Sequence, residues 1–223
     1  MAKLTLKPVS VISALATSLR ERVLNGELAP EIPLPELELA KQYGVARPTI
    51  RAAIHHLTLT GLLSREANRS AFVPRLREEE ISDLFSVRKV VETEAVRLVT
   101  ESRLRPAAAE QAVRLLESFP TDTKWSDVVE ADLQFHRALV AATKSPRLLR
   151  LFELLEDEIR LAIAQLKPAY DSPATLAREH RELLTAIESG KTGTAMALTH
   201  QHLDQAIGDL TRTTSSAGRA RVG

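Results

Sequence analysis

Asp132 and His136 stand four residues apart in the segment SDVVEADLQFHRALVAAT, so on a helix they share one face. That face also carries Val128, Val129, Leu139 and Val140. An ionised carboxylate left unpaired on such a stripe costs several kcal/mol, or gives up its charge. Two more histidines lie on apolar stripes: His180 with Leu176, Leu183, Leu184 and Ile187, and His202 beside Leu198 and Ala206. One carboxylate and three imidazoles brought together in one bundle form an oxygen–nitrogen donor set for a divalent metal ion. The same residues also admit a plain Asp132–His136 hydrogen bond, with the other histidines satisfied separately. His200 competes with His202, because residues two apart on a helix face away from each other and Met196 and Leu203 flank His200 as well. A metal-held water would permit hydrolysis, but no further glutamate base or nucleophile constellation accompanies these residues.

A second chemistry is written in GVARPTIRAAIHHLTLTG, residues 44–61. Val45, Ile50, Ile54 and Leu57 make one apolar face of a helix, and Arg47 and Arg51, four apart, share the outward face. Pro48 fits the first turn, where its missing N–H is no loss. A short helix from Pro35 to Tyr43 precedes it, with Leu39 and Ala40 turned inward, and Gly44 separates the two. Two helices joined at a glycine, the second with paired outward arginines, describe a helix-turn-helix with a basic reading helix. The bland alternative is a helical hairpin with two solvated arginines. His55 and His56 follow on the same helix and read as solvated or near-phosphate side chains.

These residues have to be positioned by a chain of 223 residues with 44% hydrophobic content, enough for one large or two modest domains. The net charge of +1 says little, but its distribution is uneven. Residues 1–75 hold ten Lys/Arg against six Asp/Glu, and residues 76–223 hold twenty against twenty-three. A basic DNA-contacting module followed by a near-neutral partner domain fits that division. Cysteine is absent, which excludes disulfides and thiolate chemistry. No apolar run reaches membrane-spanning length, and MAKLTLKPVS lacks a signal-peptide core, so a cytoplasmic protein without a membrane partner is expected.

In the amino-terminal module, residues 1–73, Ser10 is a candidate cap for a helix carrying Ile12, Leu15, Ala16, Leu19 and Val23 inward. ELAPEIPLP reads as a proline-rich loop. After the reading helix, Leu62-Leu63 and Ala71-Phe72-Val73 read as two strands flanking a polar tip that carries Arg65 and Arg69, a wing. Residues 74–80 read as a linker. Helical spacing then runs over about 80–103, 106–118, 126–143, 146–167, 173–190 and 193–212, with breaks at Pro106, Phe119 to Asp122, Ser145-Pro146, Lys167-Pro168, Ser172-Pro173 and Gly190 to Gly193. The expected fold is mainly α: a winged helix-turn-helix, an all-helical bundle of about six helices over 81–212, and a disordered tail, 213–223.

The order of signals resembles GntR-family bacterial transcription regulators. Gly26-Glu27-Leu28, Leu34-Pro35-Glu36-Leu37-Glu38-Leu39-Ala40, Val45-Ala46-Arg47-Pro48-Thr49-Ile50-Arg51-Ala52-Ala53-Ile54 and Phe72-Val73 follow the family's amino-terminal pattern over roughly residues 10–75. By that resemblance Arg47 and Arg51 match base-contacting arginines; a guanidinium can donate two parallel bonds to guanine O6 and N7. Thr49 and Arg69 read as phosphate contacts, which position without specifying. Leu37 stands where relatives often carry a base-reading arginine, and Ala52 and Ser70 replace a usual glutamate and wing glycine. Ala46 replaces a capping serine, which loosens the reading helix's first turn by about 1 kcal/mol.

The bundle resembles the FCD ligand-sensing domain of the FadR subfamily. Asp132-Leu133-Gln134-Phe135-His136 matches its Asp-x-x-x-His motif, Glu179-His180-Arg181-x-Leu183-Leu184-x-Ala186-Ile187-x-x-Gly190 its second segment, and His202-Leu203 its closing pair, which selects His202 over His200. Six helices resemble the shorter, VanR-like branch. Ser145-Pro146 departs mildly from the family's Asn-Pro. The resemblance implies a divalent metal, zinc or nickel, on Asp132, His136, His180 and His202, with a small carboxylate effector completing the site. Arg88, in an Arg-x-x-Val-Glu pattern, would meet the effector's second charge; a surface arginine paired with Glu92 is the plain alternative. The function implied is a homodimeric, DNA-binding repressor on a palindromic operator, switched by an organic or sugar acid. Metal-dependent hydrolysis and a purely structural metal are the rival readings.

Overall fold

The computed structural model describes residues 10–165 and 172–219, and the chain divides into two compact units, Met1–Arg75 and Leu76–Gly223. In the first unit, α1 (Val11–Leu24) starts where Ser10 Oγ accepts the Ser13 N–H at 3.1 Å. It buries Leu15, Ala16, Leu19 and Val23, whereas Ile12 stays 39% exposed, one turn too early to reach the core. Gly44 ends α2 (Glu36–Tyr43) in the left-handed region at φ 64°, a conformation open to glycine without a side-chain clash. Helix α3 (Arg47–Leu59) then turns Ile50, Ile54 and Leu57 against α1 and α2. Its N-cap, Ala46, makes no side-chain capping bond, as its chemistry requires.

The wing differs from the expected hairpin. Leu62 and Leu63 are buried but lie in a bend; the arm pairs only at Ser64, which exchanges backbone bonds with Phe72 at 2.8 and 2.9 Å. The main partner of β2 (Ala71–Phe72) is β1 (Pro33–Leu34), antiparallel with Leu34 opposite Ala71. β1 falls inside the stretch that reads as a loop. Its prolines hide it: only one edge of a two-residue strand needs to bond, and Pro33 can lack an N–H at such an edge.

The second unit consists of α4 (Glu78–Glu101), α5 (Ala107–Ser118), α6 (Trp125–Ala142), α7 (Pro146–Gln165), α8 (Pro173–Glu188) and α9 (Thr192–Arg219). Helix α6 is the pivot, packing against α4, α5 and α7. Phe135 and Leu139 join Val96, Val99, Val113, Leu183, Leu184 and Ile187 in one core; Val129 and Leu133 join Ile81, Phe85, Ile159 and Leu203 in another. Two stripes buried on both sides of α6 leave the edge between them, Asp132 and His136, inside the bundle. The tail reading is corrected: α9 runs on to Arg219 instead of stopping near 212. Thr213 to Ser216 are weak helix formers but contain no proline, and extending an existing helix adds one bond per residue fixed. The Lys167-Pro168 break and residues 220–223 of the tail lie outside the described residues.

Candidate metal centre and nucleic-acid interface

Asp132, His136, His180 and His202 are all buried, and one ligand atom from each lies within 4.8 Å of the others. Helix α6 supplies the first two from consecutive turns, α8 the third and α9 the fourth. His180 Nε2 lies 3.0 Å from Asp132 Oδ1 and 3.2 Å from His136 Nε2; His202 Nε2 lies 3.3 Å from His136 Nε2. Phe135 closes one side, its ring edge-on to His180 at 4.4 Å between centroids. His200 is exposed and takes no part.

The other ring nitrogens define the chemistry. His136 Nδ1 donates to Glu92 Oε2 at 2.6 Å, His180 Nδ1 to the Leu176 carbonyl at 2.7 Å, and His202 Nδ1 to Glu179 Oε2 at 3.0 Å. With each Nδ1 proton so engaged, the Nε2 atoms of the neutral rings present lone pairs to one another and to a carboxylate. One extra proton can bridge one such pair; the rest face each other near 3 Å with no donor between them. A cation removes that conflict. Arg88, Glu92 and Asp132 leave the buried cluster a charge of −1, which also favours one. The site thus fits a divalent ion on these four residues, with Glu92 and Glu179 orienting two of the imidazoles.

Burial opposes charge throughout the cluster, and the neighbours decide the outcome. Burial raises the Asp132 carboxyl, but His136 and His180 outweigh it and hold that group well below its usual range. Burial likewise raises Glu92, yet Arg88 and His136 bring it down to about 2. For His136, burial and Arg88 are outweighed by Glu92 and Asp132, so its pKa rises. His202 goes the other way: burial lowers it to about 4, only partly offset by Glu179. Burial thus favours the neutral ring at His202, whereas the carboxylates around His136 favour a proton there.

Arg88 lies on α4 and is 1% exposed, which corrects the surface alternative. The pairing with Glu92 is present, Nε to Oε1 at 2.5 Å, and the guanidinium carbon sits 5.1 Å from the Phe85 ring centre. Arg88 does not reach the four ligand residues directly; Glu92 stands between it and His136. Its Nη2 is buried without a hydrogen-bond partner. The sequence offers Glu92 only as a partner for Arg88; its bond to His136, which makes it a site residue, carries no sequence signal. Glu179, seen in sequence only beside His180 in the FCD-like segment, proves to be the partner of His202.

In the first unit Arg47 and Arg51 project outward from the start of α3, 59% and 55% exposed at the side chain. Thr49 is half-buried between them. Arg69 is exposed on the wing and pairs with Glu66 at 2.6 Å. His55 and His56 are exposed. Two residues not singled out as site residues join this surface: Glu36, buried at the head of α2, and Arg65 of the wing.

Comparison with known proteins agrees with this geometry. Residues 83–205 match the FCD domain, and residues 12–73 match the family described as bacterial regulatory proteins, gntR family. The gluconate operon transcriptional repressor of Bacillus licheniformis is 28% identical over 205 residues, spanning 86% of this chain and 82% of that one. An uncharacterised HTH-type transcriptional regulator, YdhC of Bacillus subtilis, is 24% identical over 190 residues, spanning 82% and 83%. The crystal structure of a "putative transcriptional regulator GntR" from Rhodococcus sp. RHA1 superimposes with a TM-score of 0.76 at 27% identity, covering 88% of this chain and 95% of that one.

Proposed function

Because the chain belongs to the GntR family of bacterial transcription regulators, with an FCD domain behind its DNA-binding domain, we propose that a metal-assisted carboxylate site in the bundle sets its affinity for an operator. The protein is a DNA-binding transcriptional regulator and takes a small-molecule effector in its FCD domain. Family membership also removes the hydrolase reading, since the relatives are regulators.

The single observation that carries the metal proposal is the convergence of three imidazole Nε2 atoms and Asp132 Oδ1, with each Nδ1 proton held from behind. Three borderline nitrogen donors and one oxygen suit zinc or nickel better than magnesium or calcium. A divalent ion there supplies positive charge and Lewis acidity for an anionic ligand. The chain's own residues supply the rest. Glu92 and Glu179 fix ring orientation, Phe135 packs against the rings, and Arg88 offers an unfilled buried N–H donor one carboxylate away from His136. A dicarboxylate or a sugar acid, with a carboxylate and further oxygens, has the acceptors for both; the gluconate-operon relative supports that class.

For DNA, Arg47 and Arg51 are the base readers, and Thr49 and Arg69 the phosphate contacts. A homodimer on a palindromic site follows from the small footprint of one reading helix. Val87 and Val90 on α4 and Leu151 and Leu154 on α7, all 45–72% exposed on helices that pack together, support an apolar pairing surface.

The test is metal analysis of the purified protein with a thermal-shift screen of organic and sugar acids, gluconate included. The expected result is a rise in unfolding midpoint that grows with acid concentration, together with altered operator affinity, both only in metal-loaded protein. A metal-stripped protein that responds equally to the acid would leave the ion a structural role and refute the switch.

A further inference from the structure

Glu36 is the only strongly buried carboxylate described in the first unit, 7% exposed, yet three guanidiniums meet on it. Arg47 Nε donates to Oε2 at 2.9 Å; Arg51 donates through Nε and Nη2, the latter at 3.0 Å; Arg65 Nη2 lies 3.3 Å from Oε1. Two of these arginines come from the reading helix and the third from the wing. Arg65 Nε is also fixed, donating to the Arg69 carbonyl at 3.2 Å. One carboxylate therefore ties the wing to the reading helix.

The nitrogens used are as informative as the partners. Arg47 spends only Nε, leaving Nη1 and Nη2 without a hydrogen bond among the described residues; Arg51 keeps Nη1. Both side chains are anchored to Glu36 through Nε and remain more than half exposed. A guanidinium with a fixed stem and a free outer edge is arranged for a directional, paired contact. Three mobile arginines would instead follow any phosphate, because non-specific binding arises from neutralising backbone charge.

We propose that Glu36 is a positioning and specificity-determining residue: its carboxylate holds Arg47, Arg51 and Arg65 as one fan and suppresses their binding to arbitrary phosphates. The inference rests on the base-reading role given to Arg47 and Arg51. The charge lowers attraction to any duplex, and the geometry restores affinity only where bases meet the outer guanidinium edges. This is discrimination through an element that disfavours the wrong partner.

The experiment uses the full chain, a duplex selected by it from a randomised pool, and a scrambled duplex of the same composition, each titrated over a range of salt. Glu36→Gln keeps the size and removes the charge. It is expected to raise affinity for the scrambled duplex, steepen its salt slope by about one, and lower the selected-to-scrambled ratio at least about tenfold. Glu36→Asp keeps the charge but shortens the reach by one methylene; it should lose affinity for the selected duplex alone. An unchanged ratio and slope in Glu36→Gln, or a parallel loss on both duplexes, would overturn the proposal. Should that variant not fold by circular dichroism, Glu36→Asp decides, an unchanged ratio counting against it. Failure of the base-reading premise is seen separately, as Arg51→Ala losing both duplexes equally.

Discussion

Glu92 accepts the Nδ1 proton of His136 on one oxygen at 2.6 Å and Arg88 Nε on the other at 2.5 Å. A single buried carboxylate thus joins an imidazole of the candidate metal cluster to an arginine on a different helix. Removing it separates two roles that are otherwise hard to tell apart. Glu92→Gln should lower metal affinity about 10–100-fold by releasing the ring's orientation. It should also lower the unfolding free energy from denaturant titration by about 3–5 kcal/mol, because Arg88 is left buried without its counter-charge.

The same group gives a pH signature. Its carboxyl is held at about 2, below its ordinary value near 4.5. A carboxyl depressed in the folded state contributes stability that is present above the unfolded value and disappears as pH falls through the folded one. Wild type should therefore lose its advantage over Glu92→Gln between about pH 4.5 and 2. A constant difference across that window would show that the charge on Glu92 adds nothing to folding.

Metal content should collapse when Asp132, His136, His180 or His202 is replaced by Ala, and should not change in His200→Ala. Elemental analysis after gel filtration reads this directly. In wild type the affinity should weaken with acid, since a proton on His136 competes for the ring and that ring's pKa is raised by Glu92 and Asp132 despite burial. Retention of a full complement by His202→Ala would return that residue to a plain hydrogen-bonding role with Glu179.

Arg88→Ala confounds effector binding with an uncompensated Glu92, so Arg88→Lys is the sharper probe. The lysine keeps a positive charge beside Glu92 but loses the forked Nη2 donor. We expect intact metal content and effector-free DNA binding, with a response to organic acids reduced by the 1–3 kcal/mol typical of coupling between sites. A normal response would exclude Arg88 from effector recognition.

On DNA, Arg47→Ala and Arg51→Ala should each cost about 1–3 kcal/mol on the operator and relax preference at one base pair. Arg69→Ala should weaken all duplexes evenly and flatten the salt slope by about one. Val90→Glu together with Leu154→Glu should convert a dimer to a monomer in light scattering. A wild-type monomer, on and off DNA, would remove the dimer and with it the palindrome.

The helices were legible because their apolar stripes and breakers are strong local signals. Gly44, Pro106 and Pro146 mark boundaries within a residue or two of those observed. β1 was not legible, since Pro33-Leu34 pairs with a strand nearly forty residues away and carries no alternation of its own. The four-residue cluster drew on Asp132 and His136 sharing a helix face, but periodicity alone did not separate His202 from His200. Glu92 and Glu36 escaped for one reason. A glutamate in a helix looks solvated until the partners folded against it are known; Arg88 shares α4 with Glu92, but His136, and the arginines on Glu36, come from other helices or the wing.

The four ligand residues belong to three helices, and Glu92 adds a fourth, α4, which begins three residues after the first unit ends. With a metal ion as the hub of that assembly, as proposed above, the regulator would answer an acid only in a cell that also supplies the ion. Under the proposed switch, control by this chain is a logical conjunction: acid and metal must coincide, and lack of either leaves DNA binding in the same state.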